Sequence, residues 1–291
     1  MLRELDGRLQ PLATTQSMGR VRITALEALA SALNRAERVD EALAVQREVV
    51  ALMEVHYASQ PATRLLARSN LGAMLLSDNA AAEGVALLEE VDHDYVRLVG
   101  EATVQRAVVL NQLGIGYELL GDKARHLETL LLATQVAREA GGPENRFYLQ
   151  IAVTTAQALT GAGRHDESAR LLRDVLPALE ARAAPGIDAV NYAYALGALG
   201  FAMLEAGGDR REAIAVLVRA EQAVLPHARD FMVVYDNAMR HLARALRESG
   251  GSTGMRRVLE RYQALLDAEG IPDDSPWRRS LQRMREQAVA G

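Results

Sequence analysis

A spacing of about 42 residues recurs through this chain of 291 residues and restricts its possible folds more than any other feature. It separates six breaks in the chain, each followed by the start of a predicted helix. Near each start lies a position that mostly holds a small residue, in order Ala42, Gly84, His126, Ser168, Ala213 and Met255. One helical hairpin cannot bury its apolar face alone, so hairpins repeated at a fixed period are expected to stack into a solenoid.

A second position recurs about twelve residues upstream of the first, on the preceding predicted helix. A small residue there lets the two helices of a hairpin cross closely, because a large side chain would push them apart. Its occupants are Ala30, Gly72, Gly114, Ala156, Gly200 and Ala243. Glycine or asparagine, which end helices readily, occurs in five of the turns between the paired helices, at Asn79, Gly121, Gly163, Gly207 and Gly250. The first turn has Glu37 instead, which is poorly suited to that role.

These positions predict an all-α fold, a right-handed α-solenoid of about six helical hairpins plus a C-terminal capping helix. The predicted repeats span 21–61, 62–100, 101–142, 143–186, 187–227 and 228–270. Residues 1–20 are expected to form an N-terminal cap or the stub of an earlier repeat, and both options stay open. Residues 271–291 are expected to form the capping helix, because arginines alternate there with the apolar residues Trp277, Leu281, Met284 and Val289.

The third repeat carries a motif with a known relative. Leu113-Gly114-Ile115-Gly116-Tyr117, followed by Gly121 and then Ala133, resembles the tetratricopeptide repeat. The usual unit has about 34 residues. The longer unit of this chain is similar to the arrays of kinesin light chains and of bacterial regulators and Ser/Thr kinases. The resemblance covers about residues 20–268, with departures at Thr155, His126 and Met255.

Composition excludes several classes of function. The chain has 33 Lys and Arg against 38 Asp and Glu, a net charge of −5, which argues against a nucleic-acid-binding protein. The absence of cysteine excludes disulfides, cysteine-ligated zinc and thiol catalysis. No uninterrupted apolar segment of about 18 residues predicts a membrane span. The mixed-charge N-terminus lacks the pattern of a signal peptide, so a cytoplasmic location is expected by default.

The sequence contains no recognisable catalytic motif, and the chain is predicted not to be an enzyme and to need no cofactor. Phosphate-binding loops, the nucleophile elbow of hydrolases and the His-Glu-x-x-His zinc motif are all missing. No two histidines lie four residues apart, so no metal site is predicted. The segment Asp92-His93-Asp94 is expected to be a solvated loop. His126 is expected to pack at a helix crossing, and His165 to help start a helix.

The resemblance implies that the first helix of each hairpin lines a concave groove that binds peptides. Asn70 and Asn111 are similar to the asparagines of kinesin light chain repeats, where Asn holds the backbone of a ligand. Carboxamides suit this task, because each offers a donor and an acceptor. Tyr194 and Phe201 would take apolar side chains, and an arginine cluster would take an acidic group. The predicted groove residues are Asn70, Asn111, Gln112, Gln150, Gln157, Tyr194, Phe201, Asn237, Arg240, His241 and Arg244.

The predicted function is non-catalytic recognition of a protein or an extended peptide, with an acidic segment as one option for the ligand. Such a chain would act as an adaptor or as a sensory or regulatory module of a bacterial-type signalling system. The alternatives are the C-terminal region of a larger signalling enzyme or transcriptional regulator, and a sensor of a peptide signal. The polar groove residues would equally serve solubility, and Glu248 would equally neutralise the arginine cluster.

Overall fold

Thirteen α-helices follow one another in a computed structural model that describes residues 16–77, 80–183 and 187–289. No strand occurs in these ranges. The helices are α1 Gln16–Arg35, α2 Val39–His56, α3 Pro61–Ser77, α4 Ala81–Leu98, α5 Val104–Leu119, α6 Lys123–Gly141, α7 Arg146–Gly161, α8 His165–Arg182, α9 Ile187–Glu205, α10 Arg210–Val224, α11 Met232–Glu248, α12 Ser252–Ala268 and α13 Pro276–Val289. A short 3₁₀ turn, Leu225–His227, follows α10. The predicted all-α repeat fold is confirmed.

Consecutive helices from α1 to α12 form the six predicted hairpins. Four of the turns within them contain a glycine in the left-handed region, with φ of 77°, 74°, 72° and 74° at Gly121, Gly163, Gly207 and Gly250. The first turn needs the same conformation, and Glu37 adopts it with a φ of 57°. Residues 1–15, which include most of the predicted N-terminal cap or stub, and Asn79 of the second turn lie outside the described residues.

The two helices of a hairpin come very close at the predicted small positions. A Cβ atom added to Gly84 on α4 would lie 2.9 Å from the carbonyl oxygen of Gly72 on α3. A Cβ on Gly114 of α5 would lie 2.8 Å from Cγ of Leu130 on α6. Both distances are shorter than real contacts, so these two crossings have no room for a larger side chain at the glycine. The interpretation of these positions as helix crossings is confirmed.

A buried residue recurs four positions after each small residue on the second helix of a hairpin, one helical turn further along. Five of these residues are leucines, Leu88, Leu130, Leu172, Leu217 and Leu259. The first hairpin has Gln46 instead, which is 4% exposed and donates a hydrogen bond of 3.1 Å to the carbonyl oxygen of Ala67. A buried amide needs such a partner, and this bond joins α2 to the following helix α3.

The chain divides into two compact units, Met1–Ile151 and Ala152–Gly291. In the first unit, apolar residues of α3, α4 and α5 form a core around Leu88, Tyr95 and Tyr117. In the second unit, a larger core continues from α9 through α12 to α13 and includes Tyr235 and Tyr262. The division falls within α7, the first helix of the fourth predicted repeat.

The last helix, α13, packs on the sixth hairpin as the predicted cap. Leu281 and Met284 are buried in the core of the second unit. Arg278 joins the start of α13 to the end of α12, since its Nη1 donates to Asp267 Oδ1 at 2.6 Å and its Nη2 to the carbonyl oxygen of Ile271 at 3.0 Å. The side chain of Val289, also assigned to the apolar face, lies outside the described residues.

None of the described helices combines the length and the apolar character needed to cross a membrane.

The strained turn at Glu37 generates a stability prediction. We expect Glu37→Gly to raise the free energy of unfolding by about 0.5 to 1 kcal/mol, because glycine removes the steric cost of a left-handed backbone. The matched change Gly163→Ala places a Cβ at the same point of the fourth turn and should lower it by about 1 kcal/mol. Urea denaturation followed by circular dichroism measures both. Equal stabilities for Glu37→Gly and wild type would contradict this account of the first turn.

Candidate functional site

The eleven predicted groove residues all lie on the first helices of their hairpins. Four belong to the first unit, namely Asn70 on α3, Asn111 and Gln112 on α5, and Gln150 on α7. Seven belong to the second unit, namely Gln157 on α7, Tyr194 and Phe201 on α9, and Asn237, Arg240, His241 and Arg244 on α11.

In the first unit, the predicted residues differ in their exposure. Asn70 and Gln150 are exposed, whereas Asn111 and Gln112 are half-buried. Asn111 Oδ1 and Gln112 Oε1 are out of contact with water and accept no hydrogen bond from the described residues. A buried acceptor without a donor is destabilising by about 1 to 3 kcal/mol.

In the second unit, the first helices of three successive hairpins border a half-open cavity of about 180 Å³, which we call the apolar cavity. Five predicted groove residues line it together: Gln157, Tyr194, Phe201, Asn237 and His241. The remaining lining residues are mostly small or aliphatic, namely Thr160, Ala193, Gly197, Ala198, Val234 and Ala238. The structure thus brings residues from positions 157 to 241 to one place.

The apolar cavity exists because α9 carries small residues on the side that faces it. A Cβ added to Gly197 would have no heavy atom within 4 Å, so this glycine borders open space. Gly200, three residues further on, has a different role. A Cβ there would lie 2.5 Å from Cγ of Leu217 on α10, so that glycine is needed for helix packing.

Phe201 and His241 form a stacked pair at one side of the apolar cavity. Their ring centroids are 4.5 Å apart, with the planes inclined by 35°. Burial, followed by the positive charges of Arg240 and Arg244, lowers the pKa of His241 to about 4. The imidazole is therefore neutral at pH 7 and can both donate and accept a hydrogen bond.

The same two rings also border a second, larger space, which we call the cationic cavity. It has a volume of about 650 Å³ and lies among α9, α11 and α13. Helix α11 contributes Asp236 and the basic residues Arg240, Arg244 and Arg247, and α13 contributes Pro276, Trp277, Ser280, Arg283, Met284 and Gln287. The sequence predicted α13 only as a cap, so Trp277 and Arg283 were missed as lining residues. The arginines spaced along its apolar residues were visible, but only the packing of α13 shows which of them border a cavity.

Two arginines of the cationic cavity are already paired with carboxylates of the protein. Arg240 Nε donates to Asp236 Oδ2 at 2.9 Å, and Asp236 Oδ1 accepts a second hydrogen bond of 2.7 Å from the hydroxyl of Tyr262.

Arg244 contacts Glu205 at 2.5 Å and Glu248 at 2.8 Å, and its hydrogen bond lowers the pKa of Glu248. The alternative in which Glu248 neutralises part of the basic cluster therefore holds for Arg244.

The interpretation of Asp92-His93-Asp94 as a solvated loop is wrong, because this segment lies inside α4. Asp92 accepts a hydrogen bond of 2.7 Å from Arg106 Nε, and Asp94 one of 2.8 Å from Arg68 Nη1. Both carboxylates therefore form ion pairs with neighbouring helices.

Within the three described ranges, no group of three or more His, Asp or Glu side chains is placed to hold a metal ion.

Two other histidines have structural positions, as expected. Nδ1 of His126 lies 2.8 Å from the carbonyl oxygen of Gly114, directly at the helix crossing of the third hairpin. His165 is the first residue of α8.

Comparison with known proteins identifies the fold. The sequence matches no protein-family model and no curated protein. Among solved structures, the putative kinesin light chain of Podosopora anserina, which has nearly identical TPR-like repeats, has a TM-score of 0.60 and 18% identity over 73% of this chain and 100% of its own. BtubC of P. vanneervenii has a TM-score of 0.67 and 14% identity over 82% of this chain and 94% of its own.

A Rap protein complexed with Competence and Sporulation Factor has a TM-score of 0.54 and 14% identity over 90% of this chain and 80% of its own. The structural neighbours are tetratricopeptide-type repeat proteins, and the fold expected from the Leu-Gly-x-x-Tyr motif is confirmed.

The two glycines of α9 yield opposite stability predictions. Gly197→Ala should raise the free energy of unfolding by about 0.5 to 1 kcal/mol, because alanine favours a helix and its methyl group enters open space. Gly200→Ala should lower it by about 1 to 3 kcal/mol, because its methyl group collides with Leu217. Urea denaturation of the two variants measures the difference. Equal changes in the two variants would be incompatible with the assignment of one glycine to the cavity and the other to packing.

The neutral, buried His241 yields a pH prediction. Its pKa is lower in the folded chain than its usual value of 6.5, so the unfolded chain binds more protons and stability falls as pH drops from about 6.5 to 4. His241→Phe keeps a ring against Phe201 but cannot be protonated. Between pH 7 and pH 4.5, this variant should therefore lose on the order of 2 kcal/mol less stability than wild type. Urea denaturation at both pH values gives this difference, and identical losses would show that His241 does not contribute.

Proposed function

We propose that this tetratricopeptide-type solenoid is a non-catalytic module that binds an extended peptide, either free or as a segment of a protein partner. One observation carries the proposal. Gln157, Tyr194, Phe201, Asn237 and His241, which were selected from the sequence as groove residues, line a single cavity. Ligand-binding pockets are typically lined by apolar side chains, with a few polar groups that fix the orientation of the ligand.

The chemistry of the apolar cavity suits a peptide. Its small and aliphatic lining residues would accept one apolar side chain of the ligand. Gln157 is exposed, and its carboxamide offers both a donor and an acceptor to a peptide backbone. The Oδ1 atom of Asn237 already accepts a hydrogen bond from Arg240, so its amide group is left to donate. Neutral His241 provides a further donor and acceptor on the same helix.

The structural neighbours support recognition of a ligand by this fold. The Rap protein of similar fold was solved complexed with Competence and Sporulation Factor. We extend the proposal to a role as an adaptor or as a sensory module in a bacterial-type signalling system, in the cytoplasm. Participation of Asn70, Asn111, Gln112 and Gln150 in a groove of the first unit stays a prediction. An acidic segment in the ligand also stays a prediction, because Arg240 and Arg244 each contact a carboxylate already.

A substitution that fills the apolar cavity tests the proposal. Peptides are first selected on the wild-type protein from a phage-displayed library of random sequences, and the best is synthesised. Gly197→Leu should weaken its binding at least tenfold, or about 1.4 kcal/mol, because the new side chain occupies the space for the ligand. Isothermal titration calorimetry measures the dissociation constants, and circular dichroism confirms folding.

A matched control is available on the neighbouring helix. Gly161 at the end of α7 also has open space where a Cβ would lie, but it lines neither cavity. Gly161→Leu makes the same chemical change and should leave affinity within about twofold of wild type. Failure to select any peptide, or equal binding by Gly197→Leu and Gly161→Leu, would refute recognition at the apolar cavity.

A further inference from the structure

The cationic cavity has the dimensions of a site for a small molecule. Its volume of about 650 Å³ falls within the usual range of about 300 to 1,000 Å³ for such sites. It is more than three times the volume of the apolar cavity, which has about 180 Å³. Nothing in the proposed peptide binding requires this second space.

Two guanidinium groups of the cationic cavity make no ion pair with the part of the chain that the structure describes. Arg240 and Arg244 are paired with carboxylates, as described above, whereas Arg247 of α11 and Arg283 of α13 are exposed and unpaired. Guanidinium groups bind phosphate oxygens through two parallel hydrogen bonds. A phosphate monoester carries a charge of about −1.5 to −2 at pH 7, so one such group would balance both arginines.

A buried hydroxyl group in the same cavity also lacks a partner. Ser280 is only 2% exposed, and its Oγ forms no hydrogen bond within the described ranges. Ser280 lies three residues before Arg283, so both are on the same face of α13. A buried hydroxyl group without a partner is unfavourable. An oxygen of a phosphate bound at Arg283 would accept a hydrogen bond from the Ser280 hydroxyl.

The cationic cavity also has aromatic and apolar side chains in its lining. Phe201 stacks on His241 along one wall, and Trp277 and Met284 belong to another. Aromatic faces of this kind bind flat rings by stacking. Asp236 is the single acidic residue in the lining of the cationic cavity. It accepts hydrogen bonds from Tyr262 and Arg240, so the negative charge of Asp236 is already balanced.

We propose that the cationic cavity binds a small phosphate monoester that carries a flat ring, the chemical class to which nucleoside monophosphates belong. The phosphate would bind Arg247, Arg283 and Ser280, and the ring would lie against Trp277. An acidic peptide segment is the competing occupant. It fits less well, because carboxylate side chains bring no flat ring to lie against Trp277.

The experiment uses Trp277 as its own probe, because it is the only tryptophan in the chain. Adenosine 5′-monophosphate, adenosine, inorganic phosphate and a Glu-rich peptide are titrated separately while tryptophan fluorescence is recorded. Adenosine 5′-monophosphate should give a saturable change, with a dissociation constant at least tenfold below those of the other three compounds. Calorimetry with the same compounds provides a second measurement that does not depend on fluorescence.

Substitutions test whether adenosine 5′-monophosphate binds in the cationic cavity. Arg247→Gln and Arg283→Gln should each weaken adenosine 5′-monophosphate binding at least tenfold, whereas Arg257→Gln on the exposed face of α12 should change it less than twofold. Ser280→Ala removes a group without a partner, so it should fold as well as wild type and still bind severalfold more weakly. Gly197→Leu, which fills the apolar cavity, should leave this binding within twofold, so failure of one proposal is distinguishable from failure of the other.

Four outcomes would overturn the proposal. They are the absence of saturable binding up to millimolar adenosine 5′-monophosphate, equal affinity for inorganic phosphate, tighter binding of the Glu-rich peptide, and an equal loss of binding in Arg257→Gln and in Arg283→Gln. Equal affinity for inorganic phosphate would mean that the arginines attract an adventitious ion only.

Discussion

The close approach of two helices within each hairpin is the constraint on which the rest of this structure depends. Where α3 crosses α4, the backbone of Gly72 lies against Gly84, and neither position has room for a larger side chain. The approach directs a leucine such as Leu88 into the core one turn further along. It also leaves another face of each first helix available, and in the second unit residues of α9 and α11 outside the crossing line both cavities.

Much of this fold could be predicted because the elements that define it are local in sequence. In most hairpins the turn glycine, the crossing position and the leucine one turn later occur within about 20 residues, so their period identifies the repeat. The acidic segment Asp92-His93-Asp94 shows where this reasoning ends. Asp and His have low helix propensity, but Arg68 and Arg106 on neighbouring helices pair with its carboxylates and the segment stays helical. Such long-range partners leave no trace in a local pattern.

Only part of the candidate site could be predicted. The resemblance to tetratricopeptide repeats implies that Gln157, Tyr194 and Asn237 belong to one surface, and these residues line one cavity. The pairing of Arg244 with Glu248 could be anticipated, because the two residues lie four apart on one helix, but its contact with Glu205 on another helix could not. The contribution of α13 to the cationic cavity was equally hidden, since an amphipathic pattern shows that a helix packs but not which space its polar side borders.

The two glycines of α9 serve different purposes, and this separation has an evolutionary consequence. Gly200 meets Leu217 and cannot change without disturbing the hairpin, whereas Gly197 borders empty space. A single nucleotide change in any glycine codon can introduce alanine or valine at position 197 and so reshape the apolar cavity without repacking the core. Descendants of this chain could thus diverge in the ligands they select while keeping the same scaffold.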